Sequence, residues 1–174
     1  LLQHCAMKGD DWEELSDKIL NADALVFASP IYFHHLPAPL KTILDRFRSF
    51  LHVQITEHGL KHTAWNAWHK QFVLLICLGS PDDKDAKPVI DLFRFITEKL
   101  GSENELFSIV ATRLAVVNQV TMTQEALRIL YQKLQLPTHL AADDHHRNQQ
   151  LLKRCYEIGK ELGQSGRVIS SSIF

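Results

Sequence analysis

The segment from Ala22 to Phe47, ADALVFASPIYFHHLPAPLKTILDRF, decides the fold. Its apolar run from Ala24 to Ala28 is strand-like and is expected to stop at Ser29-Pro30. A short turn bearing Tyr32 and Phe33 follows. Pro37 and Pro39 then open an amphipathic helix, since a first helical turn tolerates the missing N–H. Leu40, Ile43, Leu44, Phe47 and Phe50 form its apolar stripe, to about Leu51. In an open α/β sheet, ligands collect where strands end and their loops splay apart. A turn there that displays backbone amides beside an aromatic pair suits a flat, heteroatom-rich ring.

Ala22-Asp23, Ser29-Pro30-Ile31-Tyr32-Phe33, Leu40-Lys41 and Asp45-Arg46 stand in an order and at distances that resemble the NADPH-dependent FMN reductase family. The wording is most similar to its iron–sulfur-flavoprotein-like branch. The resemblance implies a flavodoxin-like α/β fold, a three-layer sandwich with a parallel sheet. It also implies FMN as cofactor and NAD(P)H as reductant. By the same resemblance Ser29, Pro30, Ile31, Tyr32 and Phe33 seat the flavin ring. The amides of Ile31 and Tyr32 would meet its pyrimidine edge, and Tyr32 or Phe33 its face. Gly79 and Ser80, at the end of the next strand, are expected to close against it, glycine permitting close backbone approach. Without the resemblance, the same turn reads as an ordinary strand-to-helix connection whose aromatics fill the core.

Members of the family place a strand, a phosphate-binding loop, a helix and a second strand ahead of this point. The sequence instead enters from Leu1 through a polar segment, so the expectation is a domain lacking its N-terminal strand–loop units. It offers no GxxxxGK[ST] or GxGxxG loop for a phosphate, and cofactor binding by this segment alone is expected to be weak. One domain is expected over residues 1–163, with a tail over 164–174. The 174 residues are 45% hydrophobic, with a net charge of −1. That balance argues against nucleic-acid or membrane partners, and apolar runs such as Phe72–Leu78 are too short to span a bilayer. Cys5, Cys77 and Cys155, odd in number and scattered, suit the reducing cytoplasm.

Asp10-Asp11 reads as a helix start, with Trp12, Leu15 and Ile19 on one face. Residues 48–70 fit neither period and read as a long connection. Phe72–Leu78 reads as a strand buried on both faces. A helix is expected from about Asp85 to Leu100, closed by Gly101 as a C-terminal cap. Leu106–Thr112 reads as a third strand, and Leu114–Val117 either extends it or starts another element. Two helices follow, at about Thr121–Gln135, with Thr121 and Gln124 as a capping box, and at Asp143–Gly163.

No side chain is expected to be catalytic, because the cofactor carries the redox chemistry, and no metal site is expected. His58 and His62 have helical i, i+4 spacing but no third ligand. His34-His35 either shapes access to the turn or is solvated. Trp65 and Trp68 read as a lid or a dimer contact, the family being commonly homodimeric. Cys77 reads as an inert core residue, and Asp45 and Arg46 as a helix-surface ion pair. Asp82 and Asp83 either cap the following helix or face water. A flavin- or quinone-type reductase, or a flavin electron carrier, is the function implied. A cofactor-less module for dimerisation or partner binding is the alternative.

Overall fold

The computed structural model describes Cys5, Met7, residues 9–66 and residues 68–171, the side chains of 165–171 excepted. The chain alternates helices and strands in a mixed α/β fold. A parallel three-stranded sheet has the order β1 (Ala24–Pro30), β4 (Gln71–Cys77), β5 (Glu105–Ala111). Two compact units divide the chain: residues 1–76 with 85–108, and residues 77–84 with 109–174.

In the first unit, α1 (Trp12–Asn21) begins where Asp10 Oδ1 accepts the Trp12 amide at 3.2 Å. Trp12 and Ile19 are its buried positions. Lys70 closes the other end, its ammonium donating to the carbonyls of Leu20, at 2.8 Å, and Ala22. A cation is favoured at that end of the helix dipole. The three strands start together, since Gln71 N–H donates to Asp23 O at 3.0 Å and Glu105 N–H to Lys70 O at 3.1 Å.

β1 runs through Ser29-Pro30 instead of stopping before it. It is an end strand of the sheet, where a proline costs no ladder bond on its open side. The helix after it, α2 (Ala38–Arg46), is shorter than its apolar stripe, because Phe47–Phe50 tightens into a 3-10 turn. Phe27, Phe47, Phe50, Trp12, Trp68, Phe72 and Phe93 build the core; Phe27 meets Phe93 edge-on at 4.9 Å and Phe50 lies 5.3 Å from Trp68. Trp68 is therefore core, 2% exposed, and not a lid.

The expected long connection is a β-hairpin. β2 (Leu51–Thr56) pairs antiparallel with β3 (Gly59–Ala64), Thr56 opposite Gly59. His58 sits in the turn and His62 on β3, so the helical histidine pair does not form; His62 packs edge-on to Phe95 at 6.0 Å. Trp65 packs against His52 at 5.2 Å. After β4, a 3-10 turn (Asp83–Ala86) leads into α3 (Lys87–Leu100).

The second unit holds the end of β4, its following loop, the end of β5 and two helices. Leu78 N–H donates to Ala111 O at 3.0 Å and Leu114 N–H to Leu78 O at 3.1 Å, lacing the two strand ends together. Leu114–Val117 forms no further strand and leads to a 3-10 turn at Gln119–Thr121. α4 (Gln124–Lys133) is capped by Thr123, whose Oγ1 accepts the Ala126 amide at 3.2 Å, in place of the Thr121 box. α5 (Leu140–Ser171) begins earlier than expected and continues past Gly163. Leu127, Tyr131 and Ala141 are buried between α4 and α5. Cys77, at the end of β4, is exposed and not a core residue. Among the described residues, no helix is long and apolar enough to cross a membrane.

Candidate functional site

The turn after β1 is strained. Phe33 and His34 adopt φ of 50° and 60°, two successive non-glycine residues in the left-handed region. Each such residue costs about 1–2 kcal/mol, and outliers of this kind cluster at ligand sites. The turn survives because Tyr32 and His35 exchange two backbone hydrogen bonds, each 3.0 Å, and His35 Nδ1 accepts the Leu36 amide at 2.9 Å. His34 Nδ1 lies 3.7 Å from Asp85 Oδ1.

That pinning decides which groups face outward. Tyr32 N–H is taken by His35, so it is not free for a ligand as the sequence suggested. Outside the regular ladders, no hydrogen bond among the described residues takes the amides of Ile31, Phe33 or His34. Ser29 is 5% exposed, with its hydroxyl turned back onto Pro30 O at 2.8 Å. Phe33 is fully exposed and Tyr32 is 62% exposed. Two large aromatics held in water by a strained turn gain nothing for the core. They form a ready face for a flat ring, beside free amide donors.

Gly79 and Ser80 lie in the second unit. A Cβ built on Gly79 would meet open space, so no packing forbids a side chain there, and its backbone is open to approach. The Ser80 hydroxyl accepts the Asp82 amide at 3.1 Å and Asp82 Oδ1 accepts the Lys84 amide at 2.9 Å. Asp82 thus shapes the turn into the next helix. Ser80 O also accepts the Arg113 amide at 3.0 Å.

Several paired groups escaped the sequence reading. Arg46 pairs with Asp10, not Asp45; its Nη2 lies 3.2 Å from Asp10 Oδ1 and 3.3 Å from Cys5 Sγ, and its guanidinium stands 4.8 Å over the Trp12 ring. Asp45 pairs instead with Lys41. The hydrogen bond from Arg46 holds the Asp10 carboxyl below its ordinary value. In the second unit Asp144, 1% exposed, takes Arg113, Arg147 and Tyr131 together. An acid on the buried positions Ala141, Asp144 and Asn148 of α5 was the available signal. Among the described residues, no group of three or more His, Cys, Asp or Glu side chains is placed to hold a metal ion.

The model of the family "NADPH-dependent FMN reductase" matches residues 2–102. No curated protein matches the sequence. Among solved structures, the Trp repressor binding protein from Bacillus subtilis aligns at 16% identity and TM-score 0.47, over 67% of this chain and 70% of that one. An FMN-dependent NADH-azoreductase from Bacillus anthracis, in complex with FMN, aligns at 16% identity and TM-score 0.46, over 76% and 61%. An NAD(P)H:quinone oxidoreductase from Methanothermobacter marburgensis aligns at 16% identity and TM-score 0.45, over 85% and 65%. The chain thus spans less than two thirds of the latter two proteins.

Proposed function

The chain belongs to the NADPH-dependent FMN reductase family, and from that premise we propose that it serves an FMN-dependent oxidoreductase of the flavin- or quinone-reducing type, with NAD(P)H as reductant. The observation that carries this reading is the Ser29–Phe33 turn: strained, pinned, and presenting Tyr32 and Phe33 beside free amides. The chemistry that FMN would supply when bound is hydride acceptance from a nicotinamide and electron delivery to an acceptor. The residues' task is to bind and orient. Ile31, Phe33 and His34 offer amide donors to the polar edge of the ring, and Tyr32 and Phe33 cover its face. Pro30 stiffens the entry to the turn, and Ser29 anchors it from beneath. Gly79 and Ser80 are proposed as further ring contacts through their backbone. No side-chain acid or base is required of this chain.

Three free cysteines support a reducing, cytoplasmic setting. The hairpin's Ile55 and Leu60, directly paired and 85% and 62% exposed, support self-association as a homodimer or higher homo-oligomer. Small-molecule flavins or quinones are the proposed acceptors.

The test is the visible spectrum of the purified protein before and after FMN is added. Flavin bands that bleach anaerobically with NADPH are expected. A folded, colourless protein that takes up no FMN overturns the proposal in favour of a cofactor-less binding module.

A further inference from the structure

We propose that His34 is a proton donor to a quinone acceptor, with Asp85 as its positioning residue. The imidazole supplies the proton that completes the hydroquinone. This deepens the flavin reading above and rests on it.

The reaction sets the need. A quinone reduced by two electrons takes up a hydride and one proton. The hydride leaves negative charge on a quinone oxygen, where an O–H bond must form as a donor's bond to hydrogen breaks. Water can bring that proton, so no side chain is indispensable. An acid held beside the oxygen as its charge develops is faster, typically by about 10²–10⁴. Histidine is the side chain most often used for it.

The backbone places His34 for that task. It directly follows Phe33, the fully exposed aromatic proposed to cover the ring. Both residues are left-handed, His34 at φ 60°. Glycine takes that conformation without steric cost, whereas histidine loses about 1–2 kcal/mol. A side chain kept there against the backbone's preference points to a use for the side chain. The paired hydrogen bonds between Tyr32 and His35 close the turn around Phe33 and His34, so the imidazole projects from a fixed backbone.

Asp85 decides which ring nitrogen is offered. It sits in the 3-10 turn ahead of α3, and its Oδ1 lies 3.7 Å from His34 Nδ1, an ion-pair separation when the ring is charged. Both residues belong to the first unit. Nε2, on the other side of the ring, makes no hydrogen bond among the described residues. The side chains are 63% and 34% exposed. Nε2–H is therefore open to a small acceptor, and the emptied nitrogen is open to water, which returns the proton.

The experiment uses the full chain loaded with FMN, reduced anaerobically with dithionite and mixed with an acceptor in a stopped flow. 1,4-Benzoquinone takes a hydride and a proton, whereas ferricyanide takes single electrons and no proton. Asparagine tolerates the left-handed region, so His34→Asn preserves the turn. It should slow reoxidation by benzoquinone about a hundredfold, the lower end for general acid catalysis, and leave ferricyanide unaffected. Added imidazole should restore part of the lost rate. Asp85→Asn should also slow benzoquinone alone, and Asp85→Glu should restore it. Binding gives a second readout, with ¹⁵N-labelled histidine and the flavin oxidised. Hydroquinone should move the His34 Nε2 resonance saturably, and its dimethyl ether should not. Equal slowing with both acceptors would assign His34 to access, and a wild-type rate with benzoquinone would remove it from the reaction. Either result, or equal shifts with the ether, overturns the proposal and leaves the flavin reading standing. A folded chain that takes up no FMN overturns both.

Discussion

Gly101 lies against the backbone of Trp68 so closely that a Cβ there would stand 2.7 Å from the Trp68 carbonyl oxygen and 3.3 Å from its Cβ. The glycine does not cap α3 in the left-handed conformation expected of it, since its φ of 162° is extended backbone open to any residue. Its small size is what the position demands. Asn104 reinforces the junction, donating to Thr97 O at 2.9 Å and accepting the Lys70 amide at 2.9 Å. Trp68 in turn is core, stacked on Phe72 at 6.2 Å. Gly101→Ala must push a backbone carbonyl, not a flexible side chain. We expect a loss of about 1–3 kcal/mol, the range for overpacking, read as a lowered urea midpoint. An unchanged midpoint would show that the carbonyl yields freely.

Asp144 and Tyr131 give the second unit opposite pH dependences at its two extremes. Burial pushes the Asp144 carboxyl up, but hydrogen bonds from Arg113 and Tyr131 and the Arg147 charge outweigh it and hold it below its ordinary value of 3.8. Its contribution is present above that value and is lost as pH falls through the lowered folded value. Burial, and then the Asp144 hydrogen bond, raise the Tyr131 phenol from 10.0 to about 12. Its contribution is present below pH 10 and is lost as pH rises toward about 12. Asp144→Asn should flatten the acid limb of a stability–pH curve and lower the plateau, because two guanidiniums lose their partner. An acid limb as steep as in the wild type would show that other carboxylates govern it.

At the turn after β1, ring contact and fold stability should separate. Phe33 is fully exposed, so Phe33→Ala should change unfolding free energy by less than about 0.5 kcal/mol. A lost aromatic stack is worth about 0.5–1.5 kcal/mol, which predicts a two- to tenfold weaker Kd for FMN, measured by flavin fluorescence quenching. Phe33→Gly should weaken FMN binding as much while relieving the strain of φ 50°. Unaltered FMN affinity in both variants would remove Phe33 from the site.

β1 and β4 were legible because each is a compact apolar run that ends in turn residues. The hairpin was not. β2 and β3 leave polar and apolar residues alike exposed, so neither period emerges from residues 51–64. The one local signal was Glu57-His58-Gly59, where Gly59 takes φ 124°. Long-range pairs were beyond reach for a different reason. Asp10 and Arg46 stand 36 residues apart, and Arg113 and Asp144 stand 31 apart. Only the folded chain brings such charges together, whereas Lys41 and Asp45, four apart on α2, pair by local geometry. The turn after β1 was legible as a strand-to-helix connection. Its inner bonding was not, since the Tyr32–His35 exchange depends on two left-handed residues that no local preference announces.

The open flank of β1 carries the last prediction. This strand ends the sheet, so one side of its backbone has no strand partner among the described residues. Val26 on it is 58% exposed, and an apolar groove lined by Leu15, Ile19, Leu25, Phe27, Leu40 and Ile43 runs beside it. An exposed, uncharged edge strand is a template for pairing with another chain. Self-association that grows with concentration is therefore expected in light scattering after size exclusion. A lysine blunts such an edge, because its charge resists burial in a neighbour's sheet. Val26→Lys should shift the chain toward monomer with little change in its thermal midpoint. Ile55→Lys, on the hairpin, separates the two routes to assembly. A fall in mass with Ile55→Lys alone would assign assembly to the hairpin and overturn the role of the β1 edge.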